Sequence, residues 1–332
     1  MTTQQENIFV TGGAGYIGSH ACKALAAAGY TPITLDSLIT GWREAVQYGP
    51  FEQIDLKEKE ALKGVFEKYN PSAIFHFAAL SLVGESSTNP ALYWENNVLG
   101  SLNLIQCAVD SGCEHFVFSS TCATYGDLDD ELLTEVSLQD PQNAYGASKL
   151  AVEQMIKNFG STYDLKFVIF RYFNVAGADP AGEIGEFHQP ETHLIPLVLD
   201  VALGKRSDVT IFGSDYDTKD GTCVRDYIHV CDLVDAHILG LEYLKRGGAN
   251  QIFNLGTGEG FSVNEIITKV QDITKTEIRK NNAPRRPGDC ARLVSGSELA
   301  QKVLGWKRKR SSLYTIISDA WHWQKKGGFT TD

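Results

Sequence analysis

The chain has 332 residues, long enough for about two domains, and its 43% of hydrophobic residues is typical of a globular protein. The formal net charge of -11 argues against a nucleic-acid partner, because phosphates require a basic surface. No apolar run of the sequence reaches the ~18 residues that a membrane-spanning helix needs, so we expect no membrane partner.

The seven cysteines are odd in number, and none are spaced as C-x-x-C. This pattern favours neither a disulfide framework nor a zinc knuckle, and the sequence therefore predicts no metal site. The polar segment 1–7 is too short to be a signal peptide. Together these features predict reduced thiols and a cytoplasmic location.

The first half of the sequence alternates short β-rich runs with longer helical patterns. The predicted strands are 8–10, 32–35, 73–77, 115–119 and 165–170, and the predicted helices are 16–28, 57–69, 96–110 and 144–159. Strands and helices in alternation predict an α/β fold with a Rossmann-like, doubly wound parallel sheet.

After residue 174 the pattern loosens. The loops are longer, as in 178–191, and two further helices are predicted at 232–244 and 263–274. We predict a cofactor-binding domain over 1–174. Part of 224–255 is a candidate for a second segment of this domain. A smaller, irregular C-terminal domain over 175–332 would mainly bind the substrate.

A glycine-rich loop follows the first predicted strand. Gly12, Gly15 and Gly18 have the spacing G-x-x-G-x-x-G between this strand and the next helix. Such glycines allow a tight turn, close approach of the backbone to a pyrophosphate, and close helix–sheet packing. The helix N-terminus beyond them would offer free N–H groups to the same anion. Many turns need glycine, and it is the position between strand and helix that favours a dinucleotide site.

Asp36 ends the second predicted strand, about twenty residues after the glycines, where an acid is expected to hold the ribose hydroxyls of a dinucleotide. The alternative interpretation is an Asp that caps a turn. A carboxylate at this position would repel the 2′-phosphate of NADP. The sequence therefore favours NAD as the cofactor.

Tyr145 and Lys149 form a Y-x-x-x-K motif at the start of a predicted helix, where residues four apart share one face. A Tyr has an ordinary pKa near ~10, and both a neighbouring Lys and a nicotinamide cation would lower it. Alone, the motif is typical of a solvated helix face. Thr121, directly after a predicted strand, adds a hydroxyl at the carboxyl edge of the sheet, although a strand-end Thr is otherwise a turn residue.

This order of glycine loop, Asp, strand-end Thr and Tyr–Lys helix resembles the extended short-chain dehydrogenase/reductases, and among them the UDP-glucose 4-epimerases. The segments that carry the resemblance are VTGGAGYIGSH (10–20), VGES (83–86), RYFN (171–174), DGT (220–222), VRDYIHV (224–230) and WHWQ (321–324). The segment around Arg225 and the Trp-His-Trp tail are more particular to the epimerases.

The resemblance implies an NAD-dependent, reversible 4-epimerisation of UDP-glucose and UDP-galactose through a transient 4-keto sugar. Tyr145 would be the acid/base, Lys149 would orient it and the nicotinamide ribose, and Thr121 would assist. The NAD site would comprise Gly12, Gly15, Tyr16, Ile17, Gly18, Asp36, Asp55, Leu56, Phe77, Ala78, Ala79, Asn96, Tyr145, Lys149 and Phe173. The UDP-sugar site would comprise Thr121, Asn174, His193, Arg225, Tyr227, Arg286, Asp289 and Leu293. The family also implies a homodimer formed by the helices that carry Asn96 and Tyr145.

Three positions depart from the family pattern. Ser81 stands where family members often have a Lys near the cofactor. His193 stands where an Asn would contact the substrate, and its alternative interpretation is a packed loop histidine. Leu293 stands where a bulky Tyr excludes N-acetylated sugars in some relatives, and we hypothesise some tolerance for UDP-N-acetylglucosamine.

Other functions on the same scaffold remain open at this stage. The alternatives are a 4-epimerase of UDP-xylose/UDP-arabinose or of UDP-N-acetylhexosamines, a nucleotide-sugar 4,6-dehydratase, and a non-catalytic NAD sensor. The dehydratases carry an Asp-Glu pair after the strand-end Thr, where this chain has Cys122 and Ala123. Sensors usually lack the Tyr or the Lys, and both are present here.

Overall fold

Helical segments separate the successive strands as far as residue 172 in the computed structural model, which describes residues 5–128, 132–286 and 289–329. In chain order the strands are β1 (Asn7–Thr11), β2 (Thr31–Asp36), β3 (Phe51–Gln53), β4 (Ala73–His76), β5 (His115–Thr121), β6 (Lys166–Tyr172), β7 (Asn174–Ala176), β8 (Val209–Phe212), β9 (Val224–His229), β10 (Gln251–Leu255), β11 (Gly260–Ser262), β12 (Lys280–Ala283) and β13 (Arg292–Leu293). The helices are α1 (Tyr16–Ala27), α2 (Lys59–Tyr69), α3 (Val83–Thr88), α4 (Pro90–Tyr93), α5 (Gly100–Asp110), α6 (Ala144–Tyr163), α7 (Leu194–Ala202), α8 (Val230–Lys245), α9 (Val263–Thr274), α10 (Glu298–Leu304) and α11 (Leu313–Lys325).

The largest sheet is parallel throughout and has the strand order β3-β2-β1-β4-β5-β6-β10. The chain builds outward from β1 to β3, then crosses back to β4 and builds in the other direction. This reversal leaves a crevice at the carboxyl ends of β1 and β4, where doubly wound sheets bind their ligands. The predicted Rossmann-like sheet is confirmed, with β3 and β10 as strands that the prediction omitted.

Both faces of this sheet are buried, which explains the continuous apolar runs of its strands. Val10 packs into a cluster with Leu25 of α1 and Leu241 of α8. The preceding residue, Phe9, points to the opposite face and meets Phe66 of α2, with ring centroids 4.9 Å apart. Each such fully buried side chain contributes about 1.5–3 kcal/mol relative to an exposed one. The two helical layers therefore fix the strand ends that carry the predicted site.

The C-terminal region has smaller sheets and its own core. Strands β7, β9, β11 and β13 form one sheet, and β8 pairs with β12. Helices α7, α9 and α11 enclose an apolar cluster that includes Ile195, Ile266 and Ile316. The chain also returns to the large sheet, because α8 covers it beside α1 and β10 extends its edge. The division into domains near residue 174 stays a prediction.

Several elements differ from the sequence expectation. The predicted helix 96–110 begins with a π-helical segment, Trp94–Leu99, and α5 starts only at Gly100. Helix α7 was not predicted, since Pro196 interrupts the pattern, yet Pro is tolerated in a first turn because its missing N–H has no helical partner there. Among the described residues, no helix is long and apolar enough to cross a membrane.

Candidate active site

Particular glycines of the loop between β1 and α1 have no room for a side chain. Gly12 has φ +70°, and a Cβ there would lie 2.7 Å from Ala78 N, while a Cβ on Gly18 would overlap the Gly12 carbonyl oxygen. Helix α1 starts directly after Gly15, which offers no capping side chain. The first N–H groups of the helix are therefore free for a ligand anion, as a pyrophosphate site requires.

The first two residues of α1 have different surroundings. Tyr16 donates a hydrogen bond from its hydroxyl to Gly177 O at 2.7 Å, which links the glycine loop to the chain after β7. Ile17 packs against the apolar cluster between the sheet and α8. Their predicted role at the cofactor therefore stays a prediction, supported by their position in the first turn.

Asp36 ends β2 and holds the glycine loop. Its Oδ2 accepts a hydrogen bond from Ala14 N at 3.0 Å, and its Oδ1 accepts one from Leu38 N at 2.8 Å. Burial raises the pKa of this carboxyl, although the two backbone N–H groups act in the opposite direction. A carboxylate has about four lone-pair sites, so Asp36 keeps acceptor capacity for ribose hydroxyls.

The segment after β4 lies against the end of β1, at the point where the strand order reverses. Phe77 N and Ala78 N both donate to Thr11 O, at 3.0 and 3.1 Å. His76 is buried beneath them, with Nδ1 2.7 Å from Thr11 Oγ1. Phe77, Ala78 and the following Ala79 are only half-buried, so the floor of the crevice remains accessible as predicted for a cofactor site.

Three more predicted NAD contacts lie on neighbouring elements. Asp55 follows β3, and its Oδ1 accepts a backbone N–H two residues on at 2.9 Å. Leu56 O accepts a hydrogen bond from Asn103 Nδ2 at 3.1 Å, which joins this loop to α5. Asn96 donates from Nδ2 to Asn97 Oδ1 at 3.1 Å. All three predicted contacts are half-buried, so their role at the cofactor stays a prediction.

Asn97, which sequence reasoning missed, is the buried member of this pair. Its Nδ2 donates to Ser148 Oγ at 3.1 Å and to Leu80 O at 3.0 Å, and its Oδ1 accepts from Leu80 N at 2.8 Å. The π-helical segment thereby joins both α6 and the loop after β4. The Asn-Asn pair in the sequence does not by itself indicate this linking role, which becomes visible only when the fold is known.

Tyr145 and Lys149 lie one turn apart at the start of α6, and both face the end of β5. The Asn143 side chain caps the helix by accepting from Gly146 N at 2.9 Å, so Tyr145 falls in the first turn. The Tyr145 hydroxyl lies close enough to the Thr121 side chain for Thr121 to lower its pKa as a hydrogen-bond partner. Lys149 Nζ donates to Ser119 O at 2.6 Å. The structure thus brings together the three residues predicted to be catalytic.

Burial determines the protonation of this group. It raises the pKa of the Tyr145 phenol to about 12, against the effect of the Thr121 hydrogen bond. It also lowers the pKa of the Lys149 ammonium to about 7, against the attraction of Glu153. The protein by itself therefore keeps Tyr145 neutral, and a further positive charge is needed before the phenol can act as a base near neutral pH.

A buried ion pair supports the carboxyl end of β5, and sequence reasoning missed it. Arg171 on β6 makes a bidentate ion pair with Glu153 on α6, in which Nε donates to Oε1 at 2.9 Å and Nη2 donates to Oε2 at 2.7 Å. Ser120, the residue before Thr121, donates to Glu153 Oε1 at 2.5 Å, and Arg171 Nη1 also donates to the Tyr125 hydroxyl at 3.0 Å. This network joins β5, β6 and α6 directly behind the residues that are predicted to be catalytic.

Three of the predicted substrate residues form one cluster of charged groups. Arg225 on β9 donates from Nη1 to Cys290 O at 2.9 Å, and its Nη2 lies 3.7 Å from Asp289 Oδ1. Arg286 donates from Nε to Asp289 Oδ2 at 3.1 Å, and its guanidinium lies 4.6 Å above the Phe212 ring. Asp289 therefore connects the two guanidinium groups, whose forked geometry suits a diphosphate.

Four other predicted residues border the same region. Asn174 and Tyr227 are direct partners in the pairing of β7 with β9. Phe173 and Leu293 belong to one apolar cluster with Cys122, the residue after Thr121. The predicted substrate contact Leu293 therefore lies close to the catalytic strand end.

His193 lies apart from these groups, at the N-terminus of α7. Its Nδ1 is 2.8 Å from Glu186 Oε1 and 3.2 Å from Glu191 Oε1. The cost of burying a cation lowers the pKa of His193, but the two carboxylates outweigh it and raise the pKa to about 10. Only Nε2 remains to contact a substrate, so that role stays a prediction. Ser81 is exposed on the loop after β4.

Residues 8–256 match the NAD dependent epimerase/dehydratase family. The chain belongs to this family. It is 48% identical to a UDP-glucose 4-epimerase of Rhizobium meliloti over 97% of this chain and 98% of that protein. Its fold is similar to the crystal structure of a UDP-glucose 4-epimerase, with a TM-score of 0.95, 49% identity and coverage of 98% and 100% of the two chains. The UDP-glucose 4-epimerase of Brucella ovis in complex with NAD gives a TM-score of 0.93 at 44% identity, with coverage of 96% and 98%. The family expected from the sequence is confirmed.

Proposed function

We propose that this chain is an NAD-dependent UDP-glucose 4-epimerase, an isomerase that interconverts UDP-glucose and UDP-galactose. The observation that carries the proposal is the group of Tyr145, Thr121 and Lys149 at the carboxyl end of β5, beside a loop in which particular glycines have no room for a side chain. Relatives that are nearly half identical to this chain are named UDP-glucose 4-epimerases, which supports the same activity.

The chain's own residues fit NAD. The backbone around Gly12 and the uncapped N-terminus of α1 suit a pyrophosphate, and the Asp36 carboxylate suits ribose hydroxyls rather than a 2′-phosphate. When bound, NAD supplies a reversible hydride acceptor for carbon 4 of the sugar, through a transient 4-keto sugar. Because the reaction has no net redox change, the cofactor stays bound throughout.

Tyr145 is the proposed acid/base. Thr121 accepts a hydrogen bond from Ala123 N at 3.1 Å, which leaves the Thr121 hydroxyl hydrogen free to be donated to Tyr145. Such donation stabilises the phenolate, and a charged Lys149 one helical turn away stabilises it further. Tyr145 then takes the proton of the sugar 4-hydroxyl and later returns it.

Arg225 and Arg286 are the proposed anchors of the UDP diphosphate. Arg225 is held in place by Cys290 O, whereas Arg286 is largely exposed. We infer that a largely buried and an exposed guanidinium bind the diphosphate while the 4-keto sugar rotates to present its other face. Asn174 and Tyr227, adjacent across β7 and β9, would border the same ligand.

A dehydratase reaction needs an acid directly beside Thr121 for elimination of water. This chain has Cys122 there, and burial raises the pKa of its thiol to about 12, so it is a poor acid at neutral pH. This argues for epimerisation over elimination. Among sugars, the half-buried Leu293 leaves 4-epimerisation of UDP-N-acetylhexosamines as an alternative activity, and pentose sugars as another.

A homodimer and a cytoplasmic location complete the proposal. The helical stretch around Asn96 exposes the large apolar side chains Trp94 and Leu99, whose exposed fractions are 44% and 45%. A partner subunit would cover them. Leu99→Glu is expected to give a monomer by light scattering, with Leu138→Glu as a control; an unchanged mass would contradict this interface. All seven cysteines are free, as in a reducing compartment.

The activity is tested by incubating the purified protein with UDP-galactose and no added cofactor. Steady formation of UDP-glucose without accumulation of NADH is the expected result. If no conversion occurs even with added NAD, pentose and N-acetylated UDP-sugars are tested next. Turnover of none of them would refute the proposal.

A further inference from the structure

Two histidines and two glutamates meet in the loop that precedes α7. They are Glu186, His188, Glu191 and His193, and one ligand atom of each lies within 4.8 Å of all the others. In the sequence they form the pattern E-x-H-x-x-E-x-H. The expectation of no metal site considered cysteine pairs and overlooked this pattern.

Several distances between these imidazole nitrogens and carboxylate oxygens are close to those in the ligand shell of a small cation. His188 Nδ1 is 3.4 Å from Glu186 Oε1 and 3.5 Å from Glu191 Oε2. His193 Nδ1 is 2.8 Å from Glu186 Oε1 and 3.2 Å from Glu191 Oε1. In a tetrahedral zinc site with bonds of about 2.0–2.1 Å, neighbouring ligand atoms are about 3.3 Å apart. The three separations that involve Glu186 Oε1 or Glu191 Oε2 range from 2.8 to 3.5 Å, around that value.

We propose that Glu186, His188, Glu191 and His193 form a binding site for one divalent transition-metal ion of the zinc class. Two imidazole nitrogens and two carboxylate oxygens suit zinc, whereas calcium and magnesium prefer shells made of oxygen alone. Two carboxylates and two neutral imidazoles would also balance the charge of the ion. The proposal does not rest on the proposed epimerase activity.

His188 gives a second, independent indication. Its Nδ1 is inaccessible to solvent and makes no properly directed hydrogen bond, although two carboxylates are nearby. A buried polar atom normally has a partner, and each exception requires an explanation. A metal ion that accepts the Nδ1 lone pair would provide that partner.

The surrounding contacts hold the ligands in place. Trp323 Nε1 donates to Glu186 O at 2.9 Å, and Trp42 Nε1 donates to Phe187 O at 2.8 Å. Glu191 Oε1 accepts from its neighbours' backbone N–H groups, Thr192 N at 2.7 Å among them, which leaves Oε2 for the ion. Hydrogen bonds of this kind orient metal ligands and strengthen binding.

The alternative to a bound metal ion in this cluster is a proton on each of the two imidazoles. The pKa of His188 is raised to about 9 by the same two carboxylates that raise that of His193, so four ion pairs can take the place of the metal bonds. The two occupants have the same total charge, and a direct measurement of the metal distinguishes them. With an ion bound, the loop and the start of α7 would be fixed through His193.

The test uses the full chain, treated with a chelator, desalted and titrated with Zn²⁺ against a chromogenic chelator. We expect about one Zn²⁺ per chain at saturation, and Co²⁺ in its place should give the intense visible absorption of a tetrahedral site. His188→Gln should weaken binding at least 10-fold, in line with the loss of one ligand. His322→Gln, an exposed histidine of α11, is the matched control and should bind as the wild type does.

Three outcomes would overturn the proposal: no stoichiometric Zn²⁺ on the wild-type chain, the weak absorption of six-coordinate Co²⁺, or equal affinity in His188→Gln. Far-UV circular dichroism establishes that the variant is folded. If it is not folded, Glu191→Gln replaces it under the same criteria. Because no substrate is used, a negative result here leaves the epimerase proposal untouched.

Discussion

The large parallel sheet and the C-terminal region hold their functional side chains in different ways. In the sheet, Asp36, Phe77 and Thr121 occupy or follow the carboxyl ends of β2, β4 and β5, so strand pairing alone brings them to one edge. In the C-terminal region, Arg225 depends on Cys290 and Asp289, more than sixty residues along the chain. The sheet positions follow from the order of the strands along the sequence, whereas the contacts that hold Arg225 do not.

The largest expected effect comes from the sheet edge. Tyr145→Phe removes the proposed acid/base, and general acid–base catalysis is worth about 10²–10⁴-fold in rate. We expect kcat for UDP-galactose to fall by that factor or more, while bound NAD, measured by its release on denaturation, stays stoichiometric. Tyr163→Phe on the exposed side of the same helix is the control. A kcat close to that of the wild type would refute the role of Tyr145.

The second effect concerns stability behind that edge. Arg171→Met leaves the Glu153 carboxylate buried without its partner, which costs about 3–5 kcal/mol in the free energy of unfolding. Urea unfolding measures the loss, and Arg246→Met, at an exposed position, should change little. Combining Arg171→Met with Glu153→Leu should restore part of the stability. A double variant no more stable than Arg171→Met would contradict a penalty from the unpaired charge.

This ion pair also shows where prediction from sequence ends. Apolar periodicity and glycine spacing predicted most elements of the large sheet, and the Y-x-x-x-K pattern predicted that Tyr145 and Lys149 share one face of α6. Arg171 and Glu153 lie on different elements eighteen residues apart, so no local sequence pattern indicates their contact. The cluster around His188 was missed for another reason, since its pattern is local but lacks cysteine.

A third effect depends on pH. Burial lowers the pKa of Lys149 to about 7, whereas an unfolded Lys titrates near ~10.4. At pH values between these two pKa values, the unfolded chain binds more protons at Lys149 than the folded chain does. The free energy of unfolding therefore rises with pH in this range, by about 1.4 kcal/mol per pH unit. In cofactor-free protein, Lys149→Met should therefore gain stability over the wild type at pH 6 and lose that advantage towards pH 10. Parallel stability curves for the two proteins would contradict the lowered pKa. The same variant should lose turnover, which separates stability from function at this position.

The smallest effect tests the C-terminal region, where Leu293 borders the cluster of Phe173 and Cys122. If Leu293 leaves room beside the sugar, the wild type should turn over UDP-N-acetylglucosamine at a measurable fraction of its rate with UDP-glucose. Leu293→Tyr would fill that space and lower the ratio of the two kcat/KM values about 10-fold, the ~1.4 kcal/mol that a change of pocket volume typically supplies. Leu138→Tyr, at an exposed position, should leave the ratio unchanged. Because both substrates share the UDP anchor and the chemistry at Tyr145, the ratio cancels every contribution except that of the sugar pocket. An undetectable rate with UDP-N-acetylglucosamine in the wild type, beside normal turnover of UDP-glucose, would show that groups other than residue 293 close the pocket.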